Sequence, residues 1–262
     1  MRRETQNILL VLLGGALLKI ALNGTYLNYV KPGLQPWLIV SGAVMVVLAG
    51  VAIATDILKA RRAARAAETA SGVAAGVAVA EHDHSHGGGH GHSHGAARSA
   101  WMLLMPVLAI FLIAPPALGA DSVNRAGGRT VASEQRQDQV IKTKFPPLPA
   151  GAVVPMRMAD VATRAAWDAT NSLNGRTLEL TGFVVHDAAG VYVARLVITC
   201  CAADAMPVKA RLVGVEGLAD DQWITVTGQV RPDSAVQADN YVPVFDTTTV
   251  KKISTPSDPY EY

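Results

Sequence analysis

Three kinds of residue are scarce in this chain: aromatics make up 5% of its 262 positions, charged residues 17%, and cysteines number two. Two cysteines that are neighbours, Cys200 and Cys201, cannot build the disulfide framework of a small secreted scaffold. So few aromatics, with a net charge of only +2, leave neither a stacking platform nor a basic stripe, which argues against nucleic acid as a partner. There is no Ser-His-Asp order, no paired-carboxylate spacing and no phosphate-cradling glycine loop, so the chain is not read as an enzyme. What fills the space is apolar: half the residues are hydrophobic and the mean hydropathy is positive, a combination expected of a membrane protein.

The apolar residues fall into three runs. The stretch from Ser99 to Ala120, SAWMLLMPVLAIFLIAPPALGA, divides hydrophobic segments and a histidine-rich run from a region of ordinary water-soluble composition. It has no charge from Trp101 to Leu118, enough for a spanning helix that Pro106 and Pro115-Pro116 bend or end. Ahead of it, Ile8 to Val30 and Pro36 to Leu58 predict two spans joined by the turn YVKPGLQPW, where Pro32, Gly33 and Pro36 break helix and Tyr26, Tyr29 and Trp37 suit a membrane interface. Arg2 and Arg3 at one end and Lys59, Arg61, Arg62 and Arg65 at the other place both ends of this hairpin in the cytoplasm. Lys19, inside the first run, either snorkels to the outer headgroups or pairs with a carboxylate on another membrane subunit. The exit Ala117-Leu118-Gly119-Ala120 also resembles a signal-peptidase site, and cleavage there would release a soluble domain.

Between the second and third runs lies EHDHSHGGGHGHSH. Six of the seven histidines, His82, His84, His86, His90, His92 and His94, fall within thirteen residues. Alternating imidazoles on a flexible segment can offer several nitrogens to one zinc, copper or nickel ion, and the glycines let the backbone fold back. The alternative is a solvated linker whose histidines are incidental.

After Ala120 the pattern changes twice. Asp121 to Gly151 has no sustained period and reads as an extended linker, whereas Met158 to Thr170 places Val161, Ala162, Ala165 and Ala166 at helical spacing. From Gly175 the period becomes two: Arg176–His186, Val191–Thr199, Pro207–Val213, Gln222–Arg231 and Val242–Ile253 are five strand candidates, with Gly182 and Gly228 as bulges. Five short strands in this length predict a small all-β barrel of the OB type, with a sandwich the next choice, around Leu178, Leu180, Val193, Leu212, Val226 and Val244. The fold class expected is thus an α+β membrane protein: a helical hairpin over 1–65, a cytoplasmic His-rich loop over 66–98 and a third membrane helix over 99–120. A linker over 121–155, an extracytoplasmic short helix plus OB-like barrel over 156–254 and a tail over 255–262 complete it.

The chemistry of the barrel lies in ITCCAADAMP. On a regular strand Cys200 and Cys201 point to opposite faces, so one site uses both only if the strand ends there. Near Asp204 two thiolates could hold a soft or borderline metal; a structural pair and redox or intermolecular disulfide work are the other readings, and His186 is a candidate third ligand.

The hairpin with YVKPGLQPWL, the histidine loop, IAPPALGA followed by NRAGG, then LNGRTLELTGFVVHD and ITCCAADAMPVKARLVG together resemble the YcgQ-type family of uncharacterised bacterial membrane proteins. Its members carry the provisional description of permease subunits and are paired with a larger multi-span permease. The resemblance implies an accessory membrane subunit in the bacterial cell membrane that handles a divalent metal such as zinc, with the family's cysteine pair on Cys200 and Cys201 and its acidic residue on Asp204. The competing expectation is an extracytoplasmic thiol/disulfide-active protein whose cysteines show a depressed pKa.

Overall fold

Leu, Val and Ala dominate two early runs in which no proline falls beyond the first helical turn, and both become α-helices: α1, Arg3–Leu22, and α2, Gln35–Val73. Pro36 is tolerated because the first-turn N–H has no intrahelical partner to lose. The computed structural model describes residues 3–73, 105, 108–109, 112–113, 115–134 and 144–262, and clusters into two units: 1–23 with 34–115, and 24–33 with 116–262.

In the first unit the two helices meet at glycines. A Cβ on Gly14 would lie 2.9 Å from the Gly42 carbonyl oxygen, and one on Gly42 would lie 2.9 Å from Leu18 Cγ, so only glycine lets the backbones approach this closely. Gln35 Nε2 donates to the Ala21 carbonyl, 2.9 Å away, satisfying an acceptor at the C-terminal end of α1. The run Pro32–Ala66, which takes in a 3₁₀ turn over Pro32–Leu34 and most of α2, is long and apolar enough to cross a membrane, and Val40, Val44, Val47, Leu48 and Val51 on it are exposed. The apolar part of α1, Gln6–Leu22, is shorter. Among the described residues one helix, not three, therefore has spanning length. The third expected span lies largely outside the described residues, as does the whole tract from His82 to His94. Its outer end, residues 115–119, is neither helix nor strand and precedes α3, Ala120–Arg125.

The second unit is organised by a seven-stranded sheet: β1, Val154–Pro155; β2, Leu178–Asp187; β3, Gly190–Val197; β4, Met206–Val213; β5, Trp223–Val230; β6, Val244–Lys252; and β7, Tyr260–Glu261. The five longer strands match the five period-two runs to within a few residues at their ends. Their pairing forms a ring: β2 with β3, β3 with β4, β4 with β6 in parallel, β6 with β5, and β5 back to β2. Closure gives each of the five strands two neighbours, so none is left as a free edge.

Gly182 and Gly228 make the ring possible. Gly182 still pairs with Ile224 of β5, and at the next residue, Phe183, the pairing passes from β5 to β3; a Cβ on Gly182 would lie 2.4 Å from the Ala194 carbonyl oxygen. At Gly228 the β5–β6 register shifts, and a Cβ would lie 2.2 Å from the Asp246 carbonyl oxygen. Both are places where a neighbouring backbone comes too close for any side chain.

Alternation along the strands sends one set of residues inward. Leu178, Leu180, Val193, Val208, Leu212, Ile224, Val226 and Phe245 form the main core, which α5, Met158–Trp167, extends with Met158, Val161 and Ala162. Val244, also expected in the core, is buried. A second cluster covers the outer side of β2 and β3: Phe183, Val185, Tyr192, Leu196 and Trp223 pack with Ala120 and Val123 of α3 and with Tyr260 of β7. The stretch read as a linker thus contains α3 and α4, Val131–Glu134, each contributing a buried residue. Six and four residues are too short to carry a readable helical period.

Candidate metal centre

The last hydrogen bond that extends β3 is made by the Ile198 N–H to the Glu261 carbonyl, at 2.9 Å. Beyond it the chain leaves the sheet. Cys201 keeps an extended backbone (φ −152°, ψ 168°), and Ala202–Asp204 make one 3₁₀ turn before β4 begins. The side chain that folds this corner is Asp204: Oδ1 accepts the Thr199 N–H at 3.0 Å, Oδ2 accepts the Cys200 N–H at 2.8 Å, and the Asp204 N–H donates to the Cys201 carbonyl at 3.0 Å. An aspartate that closes such a turn with its own carboxylate leaves the two preceding cysteines off the strand, and their alternation to opposite faces is lost.

Consequently the two sulfurs face one place. Cys200 Sγ lies 3.6 Å from Cys201 Sγ, both are free thiols, and the ligand atoms of Cys200, Cys201 and Asp204 all lie within 4.8 Å of one another. Cys200 is exposed and Cys201 and Asp204 are half-buried.

The electrostatics follow from that proximity. A hydrogen bond to the Asp204 carboxylate, then one to Cys201, partial desolvation and the negative charge beside it together push the Cys200 thiol up to about 11. Desolvation alone would raise the Asp204 carboxyl, but the Cys200 thiol and the N–H groups of Cys200, Thr199 and Cys201 outweigh it and hold the group below the usual carboxylate range. Without a cation the cluster is one carboxylate and a firmly protonated thiol.

A second strand of backbone lines the corner, and it comes from the segment between α1 and α2. Val30 pairs with Cys201 as an antiparallel bridge, the Lys31 N–H donates to the Cys200 carbonyl at 3.3 Å, and the Ala202 N–H donates to the Tyr29 carbonyl at 2.7 Å. Tyr260, buried in β7, holds the same segment: its hydroxyl donates to the Asn28 carbonyl at 3.0 Å and accepts the Leu118 N–H at 3.0 Å. Sequence reasoning gave Tyr26 and Tyr29 only an interfacial role and gave the tail no role. The one signal available was a Tyr-Glu-Tyr cluster closing a polar tail, and it is weak.

The remaining candidates lie apart. His186, at the end of β2, is engaged with Asp220, Nδ1 to Oδ1 at 2.8 Å, and does not belong to the thiol cluster. Lys19 is exposed in the last turn of α1. The exit around Ala120 is packed into the domain: Ala120 is buried, its N–H donates to Asp221 Oδ1 at 2.6 Å, and a Cβ on Gly119 would strike that carboxylate.

Two sulfurs 3.6 Å apart suit a common ion. With bonds of about 2.3 Å they subtend an angle of roughly 100°, close to tetrahedral. The Asp204 carboxylate is a third donor, and a fourth position is left for a ligand from outside the cluster. The donor set, two thiols and one carboxylate, fits zinc or a softer ion better than calcium or magnesium, which take oxygen.

Comparison with known proteins places the whole of this frame in one family. The chain matches the DUF1980 N-terminal domain over residues 5–129 and the DUF1980 C-terminal domain over residues 164–262, and so carries both parts of that uncharacterised family. No curated protein and no solved structure matches the chain.

Proposed function

We propose that this DUF1980 protein is an integral membrane accessory subunit of a permease that binds a divalent metal of the zinc type at Cys200, Cys201 and Asp204. The observation that carries the reading is the convergence of two free thiols and a carboxylate at one exposed corner. A structural zinc site is closed by four protein ligands. Three ligands with one face open are better suited to passing an ion on than to cementing a fold.

The chemistry required of the residues is modest. Both thiols lose their protons as the ion enters, since thiolate is the metal ligand, and the cation reverses the electrostatics that otherwise keep Cys200 protonated. Asp204 holds the corner through Thr199 and Cys200 and offers a remaining lone pair. The same arrangement counts against a thiol/disulfide exchange role, which needs a thiolate near neutral pH.

In this reading the chain crosses the bilayer three times, with the N-terminus and the histidine tract cytoplasmic and the closed β-ring, an OB-type barrel, outside. That the segment 24–33 belongs to the same unit as the β domain supports placing the hairpin turn and the domain in one compartment. The histidines from His82 to His94 would then receive or buffer the ion on the other side. Lys19 snorkels or meets a partner's carboxylate. Three spans enclose little polar path, so the transported species passes through a larger multi-span partner.

Metal analysis of the purified full-length protein tests this. Wild type should retain zinc that is lost from a Cys200→Ser/Cys201→Ser variant, and removal of residues 82–94 should lower the total separately. Unchanged zinc, copper and nickel contents in both variants would overturn the metal reading. Failure to co-purify with any multi-span protein would overturn the accessory one.

A further inference from the structure

On β4 the inward positions Val208, Ala210 and Leu212 fill the core, which leaves Lys209 and Arg211 on the outer face. There they line a cavity of about 300 Å³, walled by the β2–β3 turn, by α3 and by the loop that leads into β6. This is the lower end of the size range of small-molecule pockets. The two cations are not equivalent.

Lys209 is already neutralised. Its Nζ lies 2.9 Å from Asp187 Oδ2 and 4.1 Å from the centre of the Tyr192 ring. Asp187 in turn is engaged on both oxygens, since its Oδ1 accepts the Ala189 N–H at 2.8 Å while Oδ2 holds Lys209. Arg211 stands directly opposite Tyr192 in the β3–β4 register, yet makes no ion pair and no side-chain hydrogen bond among the described residues. A half-buried guanidinium gives up hydration, and nothing in the cavity restores it. The remaining carboxylate of the wall, Asp239, is exposed and makes no ion pair with it among the described residues. The wall that carries Asp239 is fixed, because Thr130 Oγ1 donates to the neighbouring Asn240 carbonyl at 3.0 Å.

We infer that this cavity is a second ligand site, independent of the thiol cluster, and that it takes a small carboxylate with Arg211 as its anchor. A planar guanidinium with free N–H groups matches a carboxylate in two parallel hydrogen bonds. Asp239 opposes a second negative charge, so the rest of the ligand is neutral or carries an ammonium. A polyanion or a nucleic-acid backbone does not fit this charge pattern.

Saturation-transfer NMR on the full chain in detergent at low salt tests the site with β-alanine, propionate, 1-propanol and inorganic phosphate as probes. β-Alanine and propionate should bind with dissociation constants in the millimolar range expected of such small molecules, with β-alanine the tighter, and propanol should give no signal. Arg211→Gln should weaken β-alanine binding by about tenfold or more. Ala189→Trp, in an exposed turn at the mouth, should block it without touching the core. Arg231→Gln, which removes an exposed cation paired with Asp246 elsewhere, should leave binding intact. Equal binding of propanol, stronger binding of phosphate, no binding of either carboxylate below about 10 mM, or full binding in both Arg211→Gln and Ala189→Trp would each overturn the assignment.

Discussion

Replacing Asp204 by asparagine should make Cys200 a better nucleophile, although the substitution touches no sulfur. The cause is the carboxylate that accepts the Cys200 thiol proton and holds the group at about 11. An ordinary thiol titrates near 8.5. If the carboxylate is the main cause, its removal lowers the Cys200 pKa by roughly two units, and the thiolate fraction at pH 8 rises by nearly 100-fold. Intrinsic nucleophilicity falls by roughly threefold for each unit of lost basicity, which leaves a net acceleration of about tenfold. Solvent screening at this exposed position reduces the effect, so about threefold is the smallest rise consistent with the argument.

The assay is the pH–rate profile of alkylation by iodoacetamide after metal removal. It is run in a Cys201→Ser background, where Cys200 is the remaining thiol and the serine hydroxyl keeps a hydrogen bond beside it. The profile should move to lower pH with Asp204→Asn. A half-maximal pH that stays within half a unit, or that rises, would refute the electrostatic account of the corner. The asparagine can still accept one of the two N–H groups now held by Asp204, so a circular dichroism spectrum like that of the parent separates this effect from collapse of the turn.

Three further outcomes follow from the packing. Asp168 is buried, and although desolvation raises its carboxyl, hydrogen bonds from the Ser172 and Thr170 hydroxyls and N–H groups outweigh it and hold it at about 2. The folded-state pKa is depressed, so its contribution of about 2 kcal/mol is fully present above pH 4 and is lost as pH falls towards 2; acid unfolding of Asp168→Ala should show that step missing. Gly14→Val should weaken the α1–α2 pair and lower its thermal midpoint in detergent, whereas Gly15→Val, where a Cβ meets nothing within 4 Å, should leave the midpoint almost unchanged. Glu261→Ala removes the carboxylate that accepts the Met158 and Ala159 N–H groups, each at 2.9 Å, at the start of α5, and should cost about 1–3 kcal/mol in chemical denaturation.

How much of this was legible depended on whether the information was local. The five longer strands announced themselves because one face of each points into the ring, which favours a period of two, although β2 and β3 are also covered on part of their outer face and read there as continuous apolar runs. Gly182 and Gly228 were legible as interruptions for the same reason, though not the neighbours that forbid a Cβ. The short strands β1 and β7 were not legible: two residues cannot show a period, and both exist only because a longer strand offers a parallel partner. The Glu261 cap of α5 was invisible too, since it is supplied 103 residues away from the N–H it accepts. Of the site, the residue types were readable and their convergence was conditional on a strand ending, which the carboxylate of Asp204 brings about.

The same distinction explains why the segment between α1 and α2 was assigned to a membrane surface and is found against the cysteines. An amphipathic aromatic residue satisfies two environments equally well, a lipid headgroup layer or a protein groove with one hydrogen-bonding rim. Nothing within TYLNYVKPG chooses between them. The choice is made by backbone groups elsewhere: the Cys200 carbonyl and the Ala202 N–H would be without partners at a strand terminus, and Lys31 and Tyr29 supply them. The Tyr260 hydroxyl closes the arrangement from the tail by bonding Asn28 and Leu118 together. The corner that presents the thiols is therefore built from four separated pieces of chain, and the three that carry no ligand can still alter the spacing of the sulfurs.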